Sequence, residues 1–512
     1  MVAQSSKDLV IGIDSSTTAT KAIAWTADGT AVAEGRSRLP LDSPCPGHYE
    51  QPAETWWRSL CEALKEVVGR VDPGRIAALS IANQRETFVP LDADGRPLRA
   101  AIVWLDERCR AEVPELAAAV GAETIHRITG KPPDITPVAY RLAWLRRHEP
   151  EVLDRTAMLA DVHGYLTWRL TGRFATSQAS ADPLGLYDMA GRHWSPTLLD
   201  ALGLSLACLP EAAPPGTVLG RMTEAAAEAT GLAAGTPVVA GGGDGQAAGL
   251  GVGALSPELA YLNLGTACVS GVFSPDYRTD PAWRTMGSLT GAGYYLETCL
   301  RTGTFLIDWY LRRLCRLDPD ADPGLYTRLE DEAAALPIGA GGLLLVPYWS
   351  GAMNPYWDID ARGALVGLNG QHGQAHVYRA LMEGVALEQA MATADLERRA
   401  GLELRDYVAI GGGAQSDLWC ALVANASGKR VRRSATVEAS SLGAAITAAV
   451  GAGLYDSAET AARAMTGAIT ATFAPDPDAQ ARYAELLTIY RRVYPSLRAV
   501  YAELARFREA PA

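Results

Sequence analysis

The sequence lacks any apolar run of the roughly 18 residues that a membrane-spanning helix requires. Its first residues, MVAQSSKDLVIGIDSS, hold only a five-residue apolar stretch and no cleavage-site pattern, so we expect neither secretion nor membrane insertion. A basic tail is also missing, and the formal net charge is -12. Because nucleic-acid phosphates demand a basic face, this charge favours a soluble protein that binds small molecules and no nucleic acid.

Cysteine is scarce and scattered. The chain has eight cysteines without a Cys-x-x-Cys pair or a regular spacing. This distribution argues against a disulfide framework and against a structural zinc site. It fits a reducing environment, and we therefore predict a cytoplasmic protein.

Several well-known catalytic motifs are absent as well. A Walker-type phosphate loop requires Gly-x4-Gly-Lys-Ser/Thr, and neither Gly130-Lys131 nor Gly428-Lys429 has the preceding glycine or the following hydroxyl residue. The protein-kinase signatures and the Gly-x-Ser-x-Gly nucleophile elbow are missing too. P-loop chemistry is thereby excluded.

The chain is long, and its composition is that of an ordinary globular protein. With 512 residues, 48% of them hydrophobic and 20% charged, it is expected to fold into at least two domains. Strand patterns alternate with helical patterns, which indicates an α/β architecture. The strands LVIGID and AIAWTADG open the chain as an antiparallel unit, and LAYLNLGTACVSGVFS repeats this unit after the midpoint.

These patterns predict two α/β lobes, residues 1–253 and 254–475, followed by a helical tail, residues 476–512. The tail repeats aromatic and apolar residues at helical spacing up to Pro495, where we expect the helix to break.

The stretch VVAGGGDGQAAGLGVG, residues 238–253, combines an apolar run with closely spaced glycines. It suits either a dinucleotide-binding loop or a turn that presents Asp244 in a cleft. A dinucleotide fingerprint needs a third glycine where Ala248 stands, and it needs an acidic residue about 20 residues further on, which is missing. The stretch therefore favours Asp244 as the functional residue.

Three polar turns follow apolar strands: DSSTT at 14–18, LGTA at 264–267 and IGGGAQ at 410–415. Each alone is typical of a plain turn. Together, backbone N–H groups and hydroxyls on two such turns, one in each lobe, are able to hold phosphates without a Walker lysine. Asp14 is suited to hold Mg²⁺ through water molecules, although a turn-capping role fits this segment equally well.

Polar clusters also stand at strand ends. NQRET at 83–87 and VWLDERC at 103–109 bring amide, guanidinium, indole and carboxylate groups to these positions. A solvated rim has the same composition. Together with GGGDGQ, however, the two clusters supply the donors and acceptors that seat a polyhydroxy substrate.

These motifs resemble the FGGY carbohydrate kinases, the family that includes glycerol kinase and xylulokinase. The resemblance spans nearly the whole chain, through IGIDSSTTATKA, NQRET with AIVWLDERC, GGGDGQAAGLG, LNLGTACVSG, the stretch at 354–388 and IGGGAQSDLWCALVANASGKRVRR. It implies two actin-like, ribonuclease-H-like ATPase lobes around a central cleft. It also implies a kinase that phosphorylates an alcohol group, with ATP and Mg²⁺ as cofactors.

The resemblance further implies roles by position. Asp244 is the general base that takes the proton of the attacking hydroxyl, and Asp14 is the Mg²⁺-associated aspartate. The implied substrate-binding residues are Gln84, Arg85, Glu86, Trp104, Asp106, Asp244 and Gln246. The implied ATP-binding residues are Thr17, Thr18, Lys21, Gly265, Thr266, Gly303, Gly412, Gly413, Ala414 and Asp417.

The signals for the substrate are mixed. NQRET is similar to glycerol kinase, but Gly245 separates Asp244 from Gln246 here, a pair that is adjacent in glycerol kinase, and GGGDGQAAGLG is closer to xylulokinase. We predict a ketopentose such as xylulose, with glycerol, another polyol or an autoinducer-2-type dihydroxypentanedione as alternatives. An actin-like nucleotide switch without a sugar acceptor is the alternative from another class. A homodimer also fits the resemblance.

Overall fold

The computed structural model describes residues 7–509, in which two large β-sheets are covered by helices. The strands are β1 (Leu9–Ser15), β2 (Ala19–Thr26), β3 (Ala31–Arg38), β4 (Glu50–Gln51), β5 (Ile76–Asn83), β6 (Phe88–Leu91), β7 (Ala101–Ile102), β8 (Met158–Asp161), β9 (Ala175–Ser177), β10 (Tyr187–Asp188), β11 (His193–Trp194), β12 (Glu211–Ala213), β13 (Val218–Arg221), β14 (Pro237–Gly243), β15 (Leu259–Leu264), β16 (Cys268–Ser274), β17 (Arg284–Gly287), β18 (Tyr294–Leu300), β19 (Leu344–Val346), β20 (Ala364–Val366), β21 (Asp406–Ile410), β22 (Arg430–Ser434) and β23 (Ile469–Phe473). The α-helices are α1 (Ala53–Val68), α2 (Glu112–Val120), α3 (Ala122–Thr129), α4 (Val138–His148), α5 (Pro150–Asp154), α6 (Val162–Thr171), α7 (Gln178–Ala181), α8 (Pro196–Leu202), α9 (Glu224–Thr230), α10 (Asp244–Gly251), α11 (Thr304–Trp309), α12 (Leu325–Ala334), α13 (Gln374–Ala400), α14 (Asp417–Ser427), α15 (Ala439–Gly451), α16 (Ala458–Met465) and α17 (Pro477–Glu509).

The first sheet has the strand order β13-β14-β5-β1-β2-β3. β1, β2 and β3 form an antiparallel meander, whereas β5 and β14 run parallel to β1. The sequence explains the meander, because the turn signal Asp28-Gly29 joins β2 to β3 and Gly29 adopts a φ of 79° there. The carboxyl ends of β1, β5 and β14 therefore meet at one edge of the sheet.

The second sheet repeats this pattern in the order β17-β18-β16-β15-β21-β22-β23. β15, β16 and β18 are antiparallel to one another in turn, and β21 and β22 run parallel to β15. β23 is antiparallel to β22, as β13 is to β14 in the first sheet. The prediction that the opening strand unit returns after the midpoint is confirmed.

A smaller sheet with the order β4-β7-β6-β8 belongs to the first half of the chain. β5 of the large sheet ends at Asn83 and β6 of the small sheet begins at Phe88. The NQRET loop therefore passes from one sheet to the other. Phe88 is fully buried in a core cluster with Ile102 and Leu142, which fixes the far end of this loop.

Two helices that pack on each other link the two halves of the chain. α10 starts from β14 of the first sheet, but its Ala248 shares a core cluster with Tyr261 of the second sheet. α15 comes from the second half of the chain, yet its Ile446 packs with Val10 of the first sheet. The helices touch so closely that a Cβ on Gly443 would lie 1.9 Å from a carbonyl oxygen of α10. The predicted domain boundaries stay predictions, and α15 lies on the sheet of the opposite lobe.

The predicted break in the tail is wrong, because α17 runs from Pro477 to Glu509 through Pro495. A proline removes one backbone hydrogen bond from a helix. Tertiary contacts on both sides compensate for this loss. Before the proline, the hydroxyl of Tyr490 donates to buried Glu388 at 2.6 Å, and after it Tyr501 is 6% exposed.

Within residues 7–509, no helix combines the length and the apolar character of a bilayer span. The eight cysteines are all free thiols.

Candidate active site

A polar cleft lies where the carboxyl ends of β1, β5 and β14 meet, which is the edge at which open α/β sheets bind ligands. Asp14 stands near the end of β1, the NQRET loop follows β5, and Asp244 begins α10 directly after β14. The strand register brings these groups together, because Asp14 pairs with Ala82 and Gly243 pairs with Asn83.

Asp244 presents a carboxylate to this cleft. Its side chain is 41% exposed, whereas Gly243 and Gly245 on either side are buried. Asp244 Oδ1 accepts a hydrogen bond from the backbone N–H of Gly245 at 2.8 Å and lies 3.1 Å from Arg85 Nε. From the second half of the chain, the Ser440 hydroxyl donates to the Asp244 carbonyl at 3.1 Å. The carboxylate is thus held through Oδ1 and accessible to a ligand.

Arg85 and Glu86 belong to a buried chain of charges that extends into the second sheet. Arg85 Nη1 contacts both carboxylate oxygens of Glu297, at 2.9 and 3.1 Å. Arg284 donates to Glu297 at 2.6 Å and to Glu86 at 2.9 Å. Burial alone would raise the pKa of Glu297, but Arg284 and Arg85 bring this pKa down to about 2. Burial raises the pKa of Glu86.

Two glycines of GGGDGQ make room for Arg85. A Cβ on Gly243 would lie 2.5 Å from the Cγ and Cδ atoms of Arg85 and 2.2 Å from Gln246 Oε1. A Cβ on Gly245 would lie 3.1 Å from both Arg85 Nη2 and Glu297 Oε2. Close packing against an arginine, and not an unusual backbone angle, therefore explains these two glycines.

Asp14 is suited to hold a cation. Its Oδ1 is buried and has no hydrogen-bond partner among residues 7–509. Burial, together with the nearby carboxylates of Asp244 and Glu438, raises the pKa of Asp14 to about 7, while Lys21 acts in the opposite direction. A divalent cation would relieve this repulsion. The donor set fits Mg²⁺, which is bound by one or two carboxylates and several waters.

The β1–β2 turn and the start of β2 supply three of the predicted ATP-binding residues. Thr18 is exposed and Thr17 is half-buried, and the indole N–H of Trp104 donates to Thr17 Oγ1 at 2.8 Å. Lys21, on β2, forms an ion pair with Glu438, which immediately precedes α15. The β1–β2 hairpin therefore contacts the segment after β7 through Trp104, and it contacts the second half of the chain through Lys21.

A second group of predicted ATP-binding residues assembles at the end of the second sheet. The N–H of Gly303 donates to the carbonyl of Thr266 at 2.8 Å, and a Cβ on Gly303 would lie 2.4 Å from the carbonyl oxygen of Gly265. A Cβ on Gly413 would lie 2.9 Å from the carbonyl oxygen just before Gly265. Gly412 is exposed, with open space where a Cβ would be. The structure thus brings these five residues together.

Ala414 and Asp417 follow this group around the start of α14. Ala414 is buried, and its carbonyl accepts a hydrogen bond from Arg433 Nε at 2.6 Å. Asp417 is 77% exposed and pairs with Arg433 Nη2 at 2.5 Å. Arg433 therefore fixes the position of both residues.

Three further predicted substrate-binding residues are, like Arg85 and Glu86, buried and bonded within the protein. Gln84 is 1% exposed and donates to a neighbouring glutamine. Asp106 is fully buried, and both of its oxygens accept hydrogen bonds from Arg108 at 2.8 Å. Gln246 is fully buried and donates to Asp182 at 3.2 Å. Direct contact of these three side chains with a substrate stays a prediction.

The sequence did not point to three charged members of the site that come from the second half of the chain. Arg284 lies on β17, Glu297 lies on β18, and Glu438 lies before α15. One signal was present, because Glu297 interrupts the apolar strand YYLETCL and a buried carboxylate requires a partner. The partner itself was not visible, since 212 positions separate Arg85 from Glu297.

Comparison with known proteins shows the family of this chain. The N-terminal domain of the FGGY family of carbohydrate kinases matches residues 9–251, and the C-terminal domain of that family matches residues 260–452. The xylulose kinase of Bacillus subtilis is 30% identical over 98% of this chain and 99% of its own. The autoinducer-2 kinase of Klebsiella pneumoniae is 29% identical over 95% of this chain and 93% of its own.

A solved structure extends the agreement to the fold. The crystal structure of xylulose kinase from Rhodospirillum rubrum has a TM-score of 0.88 and 30% identity, and the match covers 96% of this chain and 100% of that one. The expected two-lobed, actin-like ATPase fold is confirmed. The chain belongs to the FGGY family of carbohydrate kinases, which are phosphotransferases with an alcohol group as acceptor.

Proposed function

We propose that this sugar kinase transfers the γ-phosphate of ATP to a hydroxyl of a ketopentose such as xylulose. One observation carries the proposal. Asp244 holds an accessible carboxylate beside Arg85 and Glu86, at the cleft edge of the first sheet. The names of the relatives at 29–30% identity support a small polyhydroxy acceptor.

Asp244 acts as the general base in this reaction. Its carboxylate takes the proton of the sugar hydroxyl while the hydroxyl oxygen forms a bond to the γ-phosphorus. The bond between that phosphorus and the β,γ-bridging oxygen breaks, and ADP leaves. Such transfer needs in-line positioning and charge neutralisation rather than a covalent enzyme intermediate. Arg85 holds Oδ1 of the base at 3.1 Å and, with Glu86, orients the sugar hydroxyls.

Mg²⁺ belongs to the proposal as the cofactor held by Asp14. When bound, it neutralises part of the charge of the ATP phosphates. The unpartnered Oδ1 of Asp14 supports this role. The residues proposed to bind ATP are Thr17, Thr18 and Lys21 of the first lobe, and Gly265, Thr266, Gly303, Gly412, Gly413, Ala414 and Asp417 of the second. The residues proposed to bind substrate beside Arg85 and Glu86 are Gln84, Trp104, Asp106 and Gln246.

The charge of the site favours a neutral acceptor. The buried chain and the base together contain three carboxylates, Asp244, Glu86 and Glu297, and two guanidinium groups, Arg85 and Arg284. Both guanidinium groups already bind carboxylates of the protein. The carboxylate of a sugar acid or the phosphate of a sugar phosphate would therefore have to compete with Glu297, Glu86 and Asp244 for them, whereas a neutral acceptor would not.

Glycerol or another polyol is a second candidate, because the Arg85-Glu86 pair is the part of the site that is similar to glycerol kinase. Dihydroxypentanedione is a further candidate, which the name of the Klebsiella relative supports. All three alternatives are neutral molecules with adjacent hydroxyl or carbonyl groups.

The test is a coupled assay of ADP release with xylulose, ribulose, ribitol, xylitol, erythritol, glycerol and dihydroxypentanedione. We expect one ketopentose to give the highest kcat/KM and a sugar acid such as gluconate to give none. A preference for glycerol or dihydroxypentanedione would replace the substrate assignment. ATP hydrolysis that no sugar or polyol accelerates would contradict the kinase proposal and favour a nucleotide switch.

We also propose that the enzyme is a cytoplasmic homodimer. The free thiols support a reducing compartment. Support for the dimer comes from α17, where Ile489, Val500, Leu504 and Phe507 are 48–81% exposed. Size-exclusion chromatography with light scattering tests this part, and a mass of one chain would contradict it.

A further inference from the structure

Two charged side chains of the second sheet reach across the cleft to the substrate loop of the first lobe. Arg284 is on β17 and Glu297 is on β18. Arg85 donates to Glu297, and Arg284 donates to Glu86, so two of the three predicted sugar-binding residues of the NQRET loop have a partner in the opposite lobe. These contacts exist only while the two lobes hold this relative position.

The Glu297 carboxylate is fully occupied by donors. Oε1 accepts from Arg284 Nε at 2.6 Å, and Oε2 accepts from Arg85 Nη1 at 2.9 Å and from the Tyr261 hydroxyl at 2.6 Å. The side chain is fully buried. It therefore has no capacity left for a sugar hydroxyl, and its effect on substrate must act through Arg85.

Glu86 depends on its partners in a different way. It adopts a φ of 51°, which is a strained conformation for a residue with a side chain. Contacts from outside the loop must therefore hold it. Arg284 Nη1 binds Glu86 Oε1 at 2.9 Å, and Arg141 Nη2 donates to the Glu86 carbonyl at 2.7 Å.

We propose that Arg284 and Glu297 are positioning residues that couple the second lobe to sugar recognition. Resting on the proposed kinase function, the inference is that they hold Arg85 against Asp244 and hold Glu86 toward the sugar. The base and the sugar-binding groups then reach their working geometry only when the second lobe is docked. A shift of about 1 Å in such groups is enough to lower a rate by roughly 100-fold.

A purely structural ion-pair cluster makes a different prediction. Breaking a buried pair by removing one charge destabilises a protein wherever the pair lies. The chain offers a matched control in Arg379 and Glu383, a buried pair on α13 at 2.9 Å. Glu383→Gln removes the same charge as Glu297→Gln but touches neither Arg85 nor Glu86.

The experiment measures sugar KM, kcat, ADP affinity and Tm for the wild type, Glu297→Gln, Arg284→Lys and Glu383→Gln. We expect Glu297→Gln and Arg284→Lys to raise sugar KM or lower kcat so that kcat/KM for sugar falls by about 10- to 100-fold. ADP affinity should stay within about twofold. Glu383→Gln should lower Tm and leave the sugar parameters unchanged.

A milder variant keeps the test decisive if the charge variants do not fold. Tyr261→Phe removes one hydrogen bond from Glu297 without changing any charge, and we expect kcat/KM for sugar to fall by about fivefold. Unchanged sugar kinetics in the folded variants would overturn the positioning role alone, because the wild type would still turn over sugar. A wild type that phosphorylates no sugar would overturn both the proposed function and this inference.

Discussion

At the residue scale, the glycines around Asp244 have a specific use. The sequence identifies Asp244 and the Arg85-Glu86 pair as candidates from their positions at strand ends. It does not show that Gly243 packs on the stem of Arg85, because that contact joins a strand end to a loop about 160 residues earlier. A glycine cluster in a sequence is compatible with several roles. The atoms that a Cβ at each glycine would meet in the structure distinguish these roles.

This packing predicts a graded response to added methyl groups. We expect Gly243→Ala to destabilise the protein by about 1–3 kcal/mol and to weaken sugar binding, because its Cβ would lie 2.5 Å from buried Arg85 atoms. The Cβ of Gly245→Ala would lie 3.1 Å from its nearest neighbours. Gly245 also lies in α10, and alanine is more favourable than glycine in a helix. Its effect on stability should therefore be much smaller. Thermal unfolding and sugar KM measure both effects.

Gly370→Ala is the control for this pair, because no atom lies within 4 Å of its Cβ position. An effect of Gly245→Ala as large as that of Gly243→Ala would show that the space around Arg85 does not decide the outcome.

At the element scale, local patterns predict hairpins and long helices well. β1 to β3, β15 with β16, α1 and α13 follow from alternation, turn residues and helical periodicity. The predicted break at Pro495 is wrong, because tertiary contacts through Tyr490 and Tyr501 outweigh one lost hydrogen bond. Local patterns also did not predict that α15 packs on the first sheet. A helix of small residues does not show in its sequence which surface it will cover.

The anchor of α17 predicts a pH dependence of stability. Burial raises the pKa of Glu388 to about 7, although Tyr490 and Tyr348 donate hydrogen bonds that lower it. In the unfolded chain the pKa of a glutamate is about 4.3. The stability that protonated Glu388 contributes is complete below about pH 4.3 and is lost as the pH rises to about 7.

Urea unfolding at pH 5 and pH 8 measures this contribution. Between these values the wild type should lose about 2–3 kcal/mol more of its unfolding free energy than Glu388→Gln, which cannot ionise. Glu485→Gln on α17 is the control, because Glu485 is 66% exposed, and it should follow the wild type. Parallel pH profiles for the wild type and Glu388→Gln would contradict the prediction.

At the scale of the whole molecule, two similar sheets are linked by the packed helices α10 and α15. The repeated strand unit made two α/β lobes predictable from the sequence. The packing of α10 on α15 was not predictable, and neither were the cross-lobe pairs of Arg85 with Glu297 and of Lys21 with Glu438, because each depends on how the lobes dock. The contacts that link the lobes are therefore the ones that could not be predicted from the sequence.

Lobe closure is the prediction at this scale. Sugar and a non-hydrolysable ATP analogue bound together should decrease the radius of gyration measured by small-angle scattering, because closure excludes water from the γ-phosphate. Either ligand alone should give a smaller change. A radius that stays constant with both ligands bound would count against closure.

The role of Asp244 as the base is tested most directly by sugar-dependent ADP release by Asp244→Asn, which keeps the shape of the side chain and removes the base. We expect turnover to fall by about 10²- to 10⁴-fold, while ADP affinity measured by calorimetry stays within about twofold. Near-normal sugar phosphorylation by the folded variant would contradict the assignment of Asp244 as the base.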